Sequence, residues 1–155
     1  MKHFSNILKY SLFLSLVVAI VSCGGSDDDP APSPDELIAI AEALTKGEAS
    51  FKSVSEPTDA TELDWSNLVV KFNGGVDGGT YTTTGSANAN VWPASGTWTF
   101  KDDTGKTLVR DGSTDVTVAV SATELNTTFT VVQPETARTK VVGGEWSFAL
   151  SFPAE

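Results

Sequence analysis

From Gly47 onward the chain alternates apolar and polar residues with a period of two, and this constrains its fold more than any other feature. Leu68, Val70 and Phe72 alternate with Val69 and Lys71, and Trp98 and Phe100 with Thr97 and Thr99. Val116, Val118 and Val120 oppose Asp115, Thr117 and Ala119. Leu125, Phe129 and Val131 share a face, while Trp146, Phe148, Leu150 and Phe152 alternate with Ser147, Ala149 and Ser151. Successive strand side chains point to opposite sides, so the pattern describes antiparallel strands that each bury one face. The chain holds 19 Thr, a β-branched residue that suits strands, and many of them fill the polar positions. Turn signals punctuate the runs at Asn73–Gly79, Asp102–Gly105, Asp111-Gly112 and Gly143-Gly144.

These boundaries predict eight strands, near 48–55, 67–73, 79–85, 96–101, 106–110, 115–121, 124–132 and 143–152. Short links favour an up-and-down meander. Eight strands can close into a barrel, which removes the exposed edges of an open sheet; a two-sheet sandwich is the alternative. One short helix, about 34–46, precedes them. Ser33 can cap it, Pro34 suits its first position, and Glu36 completes a capping box. Leu37, Ile38, Ile40, Ala41 and Leu44 form its apolar stripe, which must lie across one end or the outer flank of the strands. The class is therefore mainly β, with residues 34–155 forming one helix-plus-β domain.

Composition narrows the function. The chain has 155 residues and a formal net charge of −10, which repels phosphate backbones and argues against nucleic-acid binding. Its single Cys excludes an intrachain disulfide and a multi-thiolate zinc site. Residues 1–22 have the layout of a secretory signal. Lys2 and Lys9 make a positive flank, and the apolar run Tyr10–Val21 is shorter than the roughly 20 residues a membrane span needs.

The segment Ile20-Val21-Ser22-Cys23 resembles the lipobox of bacterial lipoprotein precursors. By that resemblance Ile20, Val21 and Ser22 are read by a dedicated signal peptidase. Cys23 then becomes the first residue, carrying a diacylglycerol and an acyl chain as a covalent membrane anchor rather than a cofactor. Two or three buried acyl chains hold a protein where one would not. Residues 23–33 then form a tether. Its Ser26-Asp27-Asp28-Asp29 run resembles the export tag of Bacteroidota-type surface lipoproteins, implying lipoprotein export machinery as a partner. Gly24 follows the Cys where inner-membrane lipoproteins carry Asp, so the implied location is the outer membrane, facing the exterior. Loss of residues 1–22 would leave 133 residues with eight cations, twenty acids and no His.

From about Leu44 to Phe152 the chain resembles small lipocalin-like domains of Bacteroidota lipoproteins. The segments carrying the likeness are Asp64-Trp65, Gly79–Thr83, Val91–Phe100, Arg110-Asp111-Gly112 and Gly143–Phe148. The likeness implies a barrel and, by analogy, a small apolar or glycan ligand. Phe51 stands where the lipocalin pattern opens with Gly-x-Trp, and small Thr and Ser side chains are consistent with an interior filled by the protein itself.

Without His, Ser-His-Asp and Cys-His systems are excluded from the mature chain, and with Cys23 consumed by lipid an enzyme ranks last. Asp102, Asp103, Asp111 and Asp115 could pair as glycosidase carboxylates, but they fall in predicted turns, where Asp serves local hydrogen bonding. Asp111–Asp115 also resembles the start of a calcium loop, without the glycine and distal Glu that complete one. No metal is expected. Trp98 and Trp146 lie in strands and read as core. Trp65 and Trp92 fall in loops, where they either stack on a ligand at the domain mouth or plug the barrel end. A non-enzymatic interaction lipoprotein with a filled core and no ligand is the alternative function.

Overall fold

The computed structural model of the chain describes residues 33–133 and 142–154. Ile20, Val21, Ser22, Cys23 and the Ser26–Asp29 run lie outside the described residues. Helix α1 (Pro34–Thr45) is followed by β1 (Glu48–Ser55), β2 (Val69–Gly75), β3 (Gly78–Thr84), β4 (Ser95–Phe100), β5 (Thr107–Arg110), β6 (Thr114–Val120), β7 (Glu124–Val131) and β8 (Gly144–Ser151). Each strand pairs antiparallel with its sequence neighbour, and β1 pairs with β8 to close the barrel. The up-and-down barrel is thus the architecture, and the sandwich is not.

Closure runs through Ser50↔Ser151 to Ser55↔Ser147, with a register shift between Phe51 and Ser53. The inward face carries what the alternation predicts. Val70, Phe72, Tyr81, Trp98, Leu108, Val116, Leu125, Phe129, Trp146, Phe148 and Leu150 are all buried. Outward positions such as Thr80, Thr82, Asp115, Thr117 and Asn126 are exposed, so the barrel wall faces water. A lipid-facing barrel would reverse that distribution. The β2–β3 turn is tighter than the glycine run suggests. Gly74↔Gly79 and Gly75↔Gly78 remain paired, leaving only Val76 and Asp77 to reverse the chain. A Cβ on Gly79 would lie 1.9 Å from the Asn73 carbonyl oxygen, so the strands approach this closely only with glycine there.

The helix begins as its sequence dictates. The Ser33 hydroxyl accepts from the Glu36 amide at 3.4 Å, and the Glu36 carboxylate accepts from the Ser33 amide at 2.7 Å. Leu44 is fully buried in the core, and Leu37 and Ile40 lie against Gly105 in the β4–β5 turn. Lys46 donates to the Ala122 carbonyl in the β6–β7 turn, and its ammonium lies 4.3 Å from the Phe152 ring centroid. These contacts put α1 across the barrel end formed by the β2–β3, β4–β5 and β6–β7 turns, with Leu37, Ile40, Ala41 and Leu44 as a lid; Ile38 of the expected stripe is instead exposed. The opposite end is formed by the β1–β2, β3–β4 and β5–β6 connections, with the end of β7 and the start of β8.

Candidate functional site

The two long described connections at the far end both fold inward on a tryptophan. Trp65, in the β1–β2 connection, is 2% exposed and meets Trp146 and Phe148 edge-on, with ring centroids 5.6 and 5.1 Å away. Its indole N–H donates to Glu56 Oε1 at 3.0 Å. Trp92, in the β3–β4 connection, is fully buried against Tyr81, Phe129 and Phe148 at 6.2, 5.3 and 5.9 Å. Its loop is pinned by bonds that leave little choice of path. The Trp92 amide donates to the Asn88 carbonyl at 2.9 Å, Ser86 Oγ donates to the Trp92 carbonyl at 2.7 Å, and Thr83 Oγ1 donates to the Pro93 carbonyl at 2.6 Å. Both rings are plugs. Neither has an exposed face on which a ligand could stack.

The barrel interior is filled accordingly. Trp98 and Trp146 are core, as their strand positions predict. Phe129–Phe148 and Trp146–Phe148 stack at 6.0 Å each, and the other contacts around them are edge-to-face, the arrangement aromatic quadrupoles prefer. Among the described residues these rings fill the interior, and space opens above them.

That space is an open cavity of about 590 Å³ at the mouth. It is lined by Asn90 of the β3–β4 connection, Arg110 at the end of β5, Ser113–Asp115 of the β5–β6 hairpin, and Thr130–Val132 at the end of β7. Arg110 and Val131 are its buried members, with Arg110 only 5% exposed, so they form its floor. The guanidinium lies on the plug itself, 5.0 Å from the Trp92 ring centroid and 4.4 Å from that of Phe129. Such contacts hold a cation through the ring faces and leave its N–H groups uncommitted.

Arg110 Nε and Nη1 are buried and make no hydrogen bond among the described residues. The nearest carboxylate among the described residues is Asp111, whose Oδ2 stands 3.9 Å from Nε. It has other duties: Oδ2 accepts from the Tyr81 hydroxyl at 2.7 Å and Oδ1 from the Thr97 amide at 2.9 Å. Asp111 reaches both from a left-handed backbone with φ of 53°, a conformation Asp tolerates better than most residues. Gly96 makes room for this arrangement, since a Cβ there would fall 1.9 Å from Asp111 Oδ1. Burial, and then the bond to Asp111, push the Tyr81 phenol above its ordinary range. Burial pulls Arg110 below its own ordinary value, with Tyr81 and Asp111 opposing, and the guanidinium remains charged at neutral pH.

Asp102 and Asp115, two of the other sequence-nominated carboxylates, do local work. Asp102 accepts from the Thr104 hydroxyl at 2.5 Å and from the Thr104 amide at 2.9 Å within its turn, which lowers its pKa. Asp115 is ion-paired with Lys101. The Asp111 and Asp115 carboxylates of the calcium-loop pattern are thus engaged with Tyr81, Thr97 and Lys101, and the described residues contain no group of three or more His, Cys, Asp or Glu placed to hold a metal. Arg110 is the residue that reading by motif passed over. Its signal was parity: it shares an inward face with Leu108, two residues earlier, where an apolar residue is expected.

Chemically, the mouth offers one fixed cation, hydroxyl and amide side chains on its walls, and an apolar edge at Val131 and Val132. It can bind and orient a small polar or charged molecule. No family model, curated protein or solved structure matches the chain.

Proposed function

We propose that the chain is a non-enzymatic, lipid-anchored protein of the cell envelope whose barrel is a binding module for a small apolar or glycan-type ligand at its mouth. The observation that carries the ligand reading is the cavity of about 590 Å³ floored by a buried arginine with unused donors. Ligand sites fall at roughly 300–1,000 Å³ and combine apolar lining with a few placed polar groups. The aromatic filling beneath makes this a mouth site, with the ligand entering no deeper than Arg110 and Val131.

Anchoring rests on the Ile20-Val21-Ser22-Cys23 sequence and display on the Ser26–Asp29 run that follows. Cys23→Ala should abolish incorporation of labelled palmitate and release the protein from membranes; a variant that stayed labelled would refute the anchor. Replacing Asp27, Asp28 and Asp29 by Ala should turn a protease-accessible protein on intact cells into a protected one. Ligand binding is tested by titrating the tryptophan fluorescence of the full chain in detergent with small aromatic and sugar ligands. A saturable change is expected, because Trp92 lies directly under Arg110.

One observation favours a second reading. The packed aromatic interior suits a structural or interaction lipoprotein that binds no small molecule. That reading predicts flat titrations with every ligand, and recovery of a partner on cross-linking in intact cells.

A further inference from the structure

We infer that the mouth site recognises a carboxylate, with Arg110 as the residue that grips it. The inference rests on the binding-module reading and adds the chemical class of the ligand. An arginine has five N–H donors and no means of losing its charge at neutral pH, so a buried one is normally surrounded by acceptors. Here Nε and Nη1 have none among the described residues. The nearest carboxylate among the described residues, Asp111, accepts from Tyr81 with one oxygen and from the Thr97 amide with the other. It balances charge from 3.9 Å without supplying a hydrogen bond. Trp92 and Phe129 fix the guanidinium plane from below, again without using a donor. The result is a fixed guanidinium with unspent donors at the bottom of an open cavity.

A planar carboxylate matches one edge of a guanidinium, Nη2 with either Nε or Nη1, through two parallel N–H···O bonds. Charge decides against a phosphate. Asp115 lines the same cavity and Asp111 adjoins its floor, so any anion meets both; the one cation, Arg110, balances a monoanion but leaves the second charge of a dianion uncompensated beside them. The remainder of the ligand would lie between the Val131–Val132 edge and the Asn90 and Thr130 side chains. That lining accommodates an apolar acid or an acidic sugar, which share the carboxylate.

The test titrates the full chain in detergent with benzoate, glucuronate, their uncharged counterparts benzamide and glucose, and inorganic phosphate, following tryptophan fluorescence. At least one carboxylate should saturate the signal at least ten-fold more tightly than its uncharged counterpart and than phosphate; which one does so separates the apolar from the sugar source. Arg110→Lys keeps the charge but loses the fork, and should weaken that binding at least ten-fold. Arg110→Met keeps the stem and should abolish it, with near-ultraviolet circular dichroism reporting whether the tryptophan core is intact. Should Arg110→Met fail to fold, Arg110→Lys alone decides. Equal binding of benzamide or glucose, tighter binding of phosphate, or undiminished binding by Arg110→Lys would overturn the carboxylate assignment while leaving a ligand module. Silence from all five probes up to about 10 mM, beyond the weakest affinities usually counted as specific, would overturn the module as well.

Discussion

Replacing Trp65 and Trp92 separately by phenylalanine asks whether the two plugs are energetically alike. Both rings are essentially fully buried, and both changes remove the same volume, so the cavity contribution is similar at the two sites. The indole N–H groups differ. That of Trp65 donates to Glu56 Oε1 at 3.0 Å, whereas that of Trp92 is buried with no partner among the described residues. Trp65→Phe therefore loses a hydrogen bond to a charged acceptor, worth about 1.5–3 kcal/mol, toward the low end here because Glu56 can turn to water. Trp92→Phe loses none and relieves an unsatisfied donor, whose burial costs about 1–3 kcal/mol. Against that, Trp92→Phe weakens the contact with Arg110 by about 0.5–1 kcal/mol, since indole is the best cation–π partner. Trp65→Phe should come out the more destabilising by at least about 1 kcal/mol, or a melting temperature about 3–5 °C lower in a domain of this size. Urea unfolding followed by far-ultraviolet circular dichroism measures it without relying on the mutated fluorophore. Equal costs, or a larger cost at Trp92, would refute the assignment of a satisfied and an unsatisfied plug.

Three further outcomes are expected. Tyr81 has its phenol pushed up by burial and by the bond to Asp111, so the fold binds this proton more tightly than the unfolded chain does. Its stabilising contribution is complete below the ordinary tyrosine value and is lost as pH rises above about 10, where the unfolded chain ionises first; urea midpoints of Tyr81→Phe should fall less steeply in that range. Thr127 points into the barrel, 1% exposed, with its hydroxyl unpartnered among the described residues, so the near-isosteric Thr127→Val should raise stability by about 1 kcal/mol in urea unfolding. Ser33→Ala breaks the capping box of α1 and should cost about 1 kcal/mol in the same measurement, an effect absent in Ser33→Asp, which can cap equally well.

Much of the barrel was legible because its code is local. The alternation in β2, β6, β7 and β8 assigns an inward and an outward face to each residue, and the structure buries Phe72, Val116, Phe129 and Phe148 as that parity requires. Ser33-Pro34-x-Glu36 likewise specified the start of α1, since capping involves only residues within one turn. The loop tryptophans were legible in place and ambiguous in role. A tryptophan beside a proline can face a ligand or the core, and only the path of the 85–94 connection, pinned by Ser86 and Thr83, turns Trp92 inward.

What the sequence by itself determined is the strand count, the face each side chain takes and the helix with its cap, all consequences of backbone periodicity over a few residues. Only the tertiary structure decided between barrel and sandwich, because that choice is the pairing of β1 with β8, whose residues are about a hundred positions apart and carry no mutual signal. It also decided the site. Arg110, Trp92, Asp111, Tyr81 and Val131 come from three strands and two connections, and Tyr81 and Thr97 hold the Asp111 carboxylate where it stands 3.9 Å from Arg110 Nε, beyond a hydrogen bond. Parity can say that an arginine points inward; whether its charge is answered there depends on what the closed barrel brings around it.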